Sequence, residues 1–129
     1  MRVRNYYVSI PIMTQQNKEY ILCAAIWYKE LEKKPKYKDL TMMLPVNCDV
    51  GLVFCGHRHP HCLYTMCAVT GLRSVTNAED GVGEHIQGFL TNKNRFVDRK
   101  EGWVIADEAK QIIDYSYGGS VTLYSENLY

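Results

Sequence analysis

Tyr20-Ile-Leu-Cys-Ala-Ala-Ile-Trp-Tyr28 is a nearly continuous apolar run with no Gly or Pro to interrupt it. Its length admits a helix or a strand, and periodicity alone does not separate the two. We favour a buried central strand. Its polar continuation, Lys29-Glu-Leu-Glu-Lys-Lys34, runs into Pro35. On the N-terminal side, residues 2–10 have the β-branched and aromatic bias of another strand, which Pro11 ends or places at an edge. Thr14 to Lys18 reads as a turn. On the C-terminal side, residues 33–49 hold two Pro, several Lys and no clean period, so a loop or surface insertion is expected.

Gly51-Leu-Val-Phe-Cys-Gly-His57 is a second short apolar run, again a buried strand. Pro60 follows, where a helix's first turn tolerates a missing donor. Cys62, Leu63, Met66, Cys67 and Thr70 then share one helical face. Gly71 stands at the expected left-handed stop. Residues 73–84 are polar and Gly-rich and read as an exposed loop. His85–Thr91 alternates as a strand, Asn92-Lys-Asn94 has turn chemistry, and Arg95-Phe-Val97 is a short return strand. Asp98 with Glu101 makes a capping pair that starts a second helix. Trp103, Ala106 and Lys110, near Val104 and Ile112, form its expected packing face, and Gly102 is a local cost within it. Val121–Tyr124 reads as a last strand. The sum is one domain over residues 1–129, an α+β fold: an antiparallel or mixed sheet with two helices packed against it.

Composition narrows the function. A net charge of +1, from 15 basic and 14 acidic residues, argues against nonspecific DNA binding, which needs a strong basic excess. No apolar run is long enough for a signal peptide or a membrane span. The five Cys are an odd number outside any repeated Cys-x-x-Cys frame, so a reduced intracellular setting is expected. Ten Tyr suit interfaces and ligand walls.

Gly88–Arg99 is the first stretch to suggest binding. Phe89 and Phe96 offer stacking surface, and Arg95 and Arg99 offer forked donors for phosphate. Asn92 and Asn94 offer amides for a base edge or a sugar. The plainer alternative is a hairpin turn with both Phe in the core. Cys55-Gly-His57-Arg-His59-Pro-His61-Cys62 is the second. Zinc there needs a second ligand pair, for which Cys48 and His85 are the donors available. A strand-to-helix turn also presents free N–H groups to an anion, with Arg58 and His59 beside it. A Cys–His nucleophile lacks a visible distant base and orienting group. Neither catalytic residues nor a metal or cofactor site is assigned. The closing Leu123–Tyr129 is too apolar for a fraying tail.

Four pieces in order, Ile21–Tyr28, Phe54–His59, Gln87–Glu101 and Leu123–Tyr129, resemble the phage-encoded Thoeris anti-defence sponge proteins of the first type. The resemblance covers most of residues 20–129. It implies a non-catalytic protein acting in the host bacterial cytoplasm. Such a protein sequesters, intact, the cyclic ADP-ribose isomers made by bacterial TIR proteins, and it can hold cyclic di- or trinucleotides at separate sites. It implies an antiparallel sheet with two helices, with protomers pairing into a homodimer to build the pockets and dimers joining into a hexamer. By the same resemblance Phe89 stacks on adenine, and Asn92, Asn94 and Arg95 face ribose or phosphate. Arg58 and His59 approach the pyrophosphate, while Tyr124, Ser125 and Glu126 line the pocket from the same or the neighbouring chain. Three positions depart from the pattern: Gly102-Trp103 replaces small helix formers, and Asn127 replaces an Asp. A nucleotide hydrolase using the Cys/His cluster, or a protein-binding phage module, are the competing readings.

Overall fold

The computed structural model describes residues 18–39, 43–119 and 121–129. The strand expected at residues 2–10 lies outside them. Four strands, β1 (Ile21–Tyr28), β2 (Leu52–Gly56), β3 (His85–Thr91) and β4 (Phe96–Asp98), form one sheet in the order β2-β1-β3-β4. All three pairings are antiparallel. The apolar run is therefore an inner strand, paired on both sides by β2 and β3. Alternation divides its side chains between two faces, and each face is covered.

The first face carries Ala24, Ile26 and Tyr28 with Phe89 and Val97. Two helices, α1 (His59–Thr70) and α2 (Arg99–Glu108), pack on it through Cys62 and Met66 and through Ile105 and Ala106. Both helices end as the residue chemistry dictates. Gly71 caps α1 at φ 72°, in the left-handed region, and its N–H reaches the Cys67 carbonyl. Asp98 caps α2 by accepting the Glu101 N–H at 2.8 Å.

The expected packing face of α2 holds at Trp103, Ala106 and Ile112, which pack on the core, and fails at Val104 and Lys110, which are exposed. Gly102, Ile105 and Ala106 are buried and Val104 is exposed. Gly102 lies against the core, where a Cβ would stand 3.2 Å from Phe89 and 3.3 Å from Leu123. Its helix-propensity cost is offset by the close approach it allows.

The second face carries Ala25 and Phe96, with Trp27, Val53, Ile86 and Leu90 partly buried around them. Its cover comes from the segment between β1 and β2, which supplies buried Leu44 and Cys48. Asn47 there acts as a surrogate strand: its amide donates to the Phe96 carbonyl at 2.7 Å and its oxygen accepts the Phe96 N–H at 2.8 Å. Trp27 Nε1 donates to the Val50 carbonyl at 2.8 Å. The part of this segment beyond Met43 is a structural cover, a correction to the surface loop expected over residues 33–49. The segment also holds a short 3-10 turn, Pro35–Tyr37.

Val121–Tyr124 is not a strand, another correction. The segment is irregular, with the Leu123 N–H bonded to the Arg99 carbonyl at 2.9 Å, and it leads into a 3-10 turn at Ser125–Asn127. Leu123, Ser125, Asn127 and Leu128 are buried, so this end of the chain docks on its own protomer.

Candidate functional site

The N-terminal turns of α1 and α2 and the closing segment face a common space. Between them opens a cleft of about 340 Å³. His59, Pro60, Leu63 and Tyr64 line it from α1, Gln87 from β3 and Arg99 from α2. Tyr117, Tyr124, Ser125 and Glu126 complete it from the closing segment.

Arg99 carries the electrostatics. Its Nη1 donates to the Leu123 carbonyl at 2.7 Å and its Nη2 to Gln87 Oε1 at 2.6 Å. The guanidinium lies 4.3 Å from the Tyr124 ring centroid, in cation–π range. Every one of these partners is neutral. Among the described residues no carboxylate forms an ion pair with it. Burial disfavours its charge, and Tyr124, Glu126 and Tyr117 oppose that only through space. An arginine nevertheless stays protonated in a protein. The cleft thus holds a half-buried cation whose desolvation no paired anion offsets.

His59 is buried and meets Phe89 edge-on, with ring centroids 5.1 Å apart. Its Nε2 lies 2.8 Å from the Gly88 carbonyl oxygen, which only accepts, so Nε2 bears the proton. Burial lowers its pKa, the Gly88 bond opposes that, Arg99 lowers it and Glu126 raises it. The imidazole is consequently neutral near pH 7. Arg58 stands at the rim. It donates to Ser125 Oγ at 3.1 Å and to the Tyr129 carbonyl at 2.5 Å, and lies 3.7 Å from Glu126. Tyr117 and Tyr124 meet edge to face at 5.7 Å. Gly118, at φ 74°, makes that approach feasible, because a Cβ there would fall 2.4 Å from the Tyr124 ring.

The cleft therefore gathers His59, Arg99, Tyr124, Ser125 and Glu126, with Arg58 at its edge. The other five candidate residues lie elsewhere. Phe89 has no accessible surface and forms part of the core, a correction to its expected stacking role. Opening it to a base would forfeit about 2–3 kcal/mol of burial. Phe96 is buried on the opposite face, edge-on to Trp27 at 5.8 Å. Asn92 holds the chain ahead of β1: its oxygen accepts the Tyr20 N–H at 2.7 Å and its amide donates to the Lys18 carbonyl at 3.0 Å. Asn94 takes the positive-φ position of the hairpin turn, φ 56°, and its carbonyl accepts the Val46 N–H. Arg95 is engaged by two carboxylates. It forks onto Glu19 at 2.9 and 3.0 Å and reaches Glu101 at 2.7 Å.

Tyr64, Tyr117 and Gln87 were not singled out from the sequence. The high Tyr count was the available signal, but it carried no position.

The Cys/His stretch is dispersed by the fold. His59 enters the cleft wall, while His57 and His61 stay outside, their rings 5.9 Å apart. His57 packs 4.5 Å from Tyr129. Cys62 is buried under β1, and Cys55 is exposed. Among the described residues no group of three or more His, Cys, Asp or Glu could hold a metal ion.

Fold and cleft together define an α+β domain whose two helices and closing segment frame a cationic, tyrosine-walled pocket within one protomer. The chain matches the family model described as "Phage T4 y16D protein" over residues 20–129, and it belongs to that phage protein family. No curated protein and no solved structure matches it. Among the described residues no helix is long and apolar enough to cross a membrane.

Proposed function

We propose that this phage protein is a nucleotide sponge. It binds a cyclic ADP-ribose-type signalling nucleotide made by bacterial TIR proteins and withholds it, uncleaved, in the host cytoplasm. The single observation that carries the reading is Arg99: a half-buried cation with only neutral partners, at a cleft walled by Tyr64, Tyr117 and Tyr124. A phosphate oxygen matches the guanidinium fork, a base matches the tyrosine rings, and Gln87, Ser125 and Glu126 suit ribose hydroxyls. The likeness of the four sequence pieces to the anti-defence sponges and the phage family both support this reading. It moves the stacking role from Phe89 to the tyrosines, and the phosphate role from Arg95 to Arg99. Paired protomers and separate sites for cyclic di- or trinucleotides remain part of the proposal.

The test is calorimetry with cyclic ADP-ribose isomers, followed by denaturation and mass spectrometry of the ligand. We expect binding and intact recovery. Arg99→Ala and Tyr124→Ala should each weaken binding by about 2 kcal/mol or more, as anchors of a desolvated site do. Cleaved ligand would instead support a hydrolase. Absence of nucleotide binding would favour a protein-binding module.

A further inference from the structure

The hydrogen bonds along β3 leave the cleft two polar atoms whose roles are fixed and whose partners are still to come. His59 Nε2 donates to the Gly88 carbonyl at 2.8 Å, so Nδ1 of the neutral ring is an acceptor. Gln87 stands next to Gly88 on β3, and its Oε1 accepts Arg99 Nη2 at 2.6 Å. A guanidinium only donates, so the carbonyl end of that amide faces Arg99 and the Nε2 end keeps two free N–H donors. Among the described residues the one buried side-chain polar atom without a partner is Tyr28 Oη. His59 Nδ1 and Gln87 Nε2 also lack partners there, so both reach accessible surface. Both residues line the cleft.

On the sponge reading of this cleft, we propose that His59 and Gln87 are its base-reading residues, an acceptor and a donor that select an aminated nucleobase such as adenine over a 6-oxo purine. Adenine presents the complement, an N6 amino donor beside the N7 acceptor. Hypoxanthine and guanine carry O6 in place of the amino group, and O6 would meet His59 Nδ1 acceptor to acceptor. The ring cannot relieve that conflict by changing tautomer. Moving the proton to Nδ1 would leave Nε2 facing the Gly88 carbonyl with no hydrogen between them.

The two residues divide the work. His59 discriminates, because the amino group is what differs between the bases. Gln87 adds affinity for both, because N7 is common to them. Arg99 is left to the phosphate, and Ser125 and Glu126 to the ribose. The exposed rings of Tyr64 and Tyr117 offer stacking faces in the same cleft. A neutral imidazole suits a base edge better than the pyrophosphate that the resemblance implies for His59.

The experiment titrates the full chain by calorimetry with adenosine 5′-monophosphate and with inosine 5′-monophosphate, which carry the amino and the oxo group on the same scaffold. We expect the adenosine nucleotide to bind about tenfold more tightly or better. His59→Phe should bring the ratio of the two affinities towards one. Gln87→Met should weaken both by a similar factor and keep the ratio. Thermal midpoints show whether each variant is folded, and the wild-type comparison needs no variant. Equal wild-type affinities, no binding of either monophosphate, or an unchanged ratio in folded His59→Phe would overturn the proposal. Cyclic ADP-ribose bound and recovered intact beside any of those results would leave the sponge reading standing, so the two failures are distinguishable.

Discussion

Asn127 shows how one side chain fixes the closing segment. It has no accessible surface. Its Oδ1 accepts the Tyr124 N–H at 2.7 Å, while Nδ2 donates to the Asp114 carbonyl at 2.7 Å and the Tyr117 carbonyl at 3.1 Å. The partners settle the amide's orientation, since an N–H cannot accept and a carbonyl cannot donate. The resemblance leads one to expect Asp at this position, with a bond to ribose. Here the residue braces Tyr117 and Tyr124 from behind and does not reach the cleft. Asn127→Asp should therefore cost about 3 kcal/mol at pH 7, because a buried carboxylate would face two carbonyl oxygens. Burial would raise that carboxyl's folded pKa above its unfolded value of about 4. The penalty should accordingly shrink as pH falls through the raised value, where the protonated acid regains a donor. Urea denaturation from pH 7 to pH 4 measures this. A variant as stable as the parent at pH 7 would show that the two donated bonds contribute nothing.

At the scale of elements, strand β1, the two helices and the β3–β4 hairpin were all legible, because each follows from local signals: an apolar run, a cap, a turn residue. The cover over the second face was not. Residues 43–50 contribute through Leu44, Cys48 and the Asn47 side chain, and isolated positions of that kind have no period to read. The hairpin's candidate binding residues were misread for a related reason. Phe89, Asn92, Asn94 and Arg95 have the composition of a binding loop, yet each is used to attach the hairpin to the segment before β1, to the covering loop or to α2. Composition reports what a group can bind and not which partner reaches it first. For Arg95 the partners are Glu19 and Glu101. Glu19's pKa is lowered, chiefly by its hydrogen bond from Arg95, with burial opposing and Thr91 assisting. A carboxyl with a depressed folded pKa stabilises the fold above its unfolded value of about 4.3 and loses that contribution as pH falls through the folded one. The Glu19–Arg95 pair is partly exposed, so solvent screening limits its worth. Glu19→Gln should cost about 0.5–1 kcal/mol at pH 7. In denaturant titrations the gap to the parent should be present at pH 7 and closed at a pH below the depressed folded value, where Glu19 is protonated in both states. A gap of equal size at both pH values would mean that the charge on Glu19 is immaterial.

At the scale of the whole molecule, charge is nearly balanced at +1, so no general field draws in an anion. Attraction has to be local, and Arg99 is where the fold concentrates it. The sequence made Arg99, Arg58, His59 and residues 124–126 visible as types. Only the tertiary fold brings the start of α2, the turn into α1 and the closing segment to one cleft. The same packing excludes Phe89 from it, since α2 seats against that ring across Gly102. Salt sensitivity follows from this placement. The Debye length falls from about 10 Å at 0.1 M to about 3 Å at 1 M, yet a half-buried pair is screened far less than an exposed one. If an anionic nucleotide is held against Arg99, raising salt from 0.1 to 0.5 M should weaken binding no more than about fivefold, whereas several exposed phosphate contacts would cost orders of magnitude. Arg99→Lys should keep the charge but lose the forked donors, and so lower affinity at both salt concentrations by a similar factor. Isothermal titrations at the two concentrations decide the matter. A steep salt dependence that survives in Arg99→Lys would place the anion on the exposed lysines of residues 29–38 and remove it from the cleft.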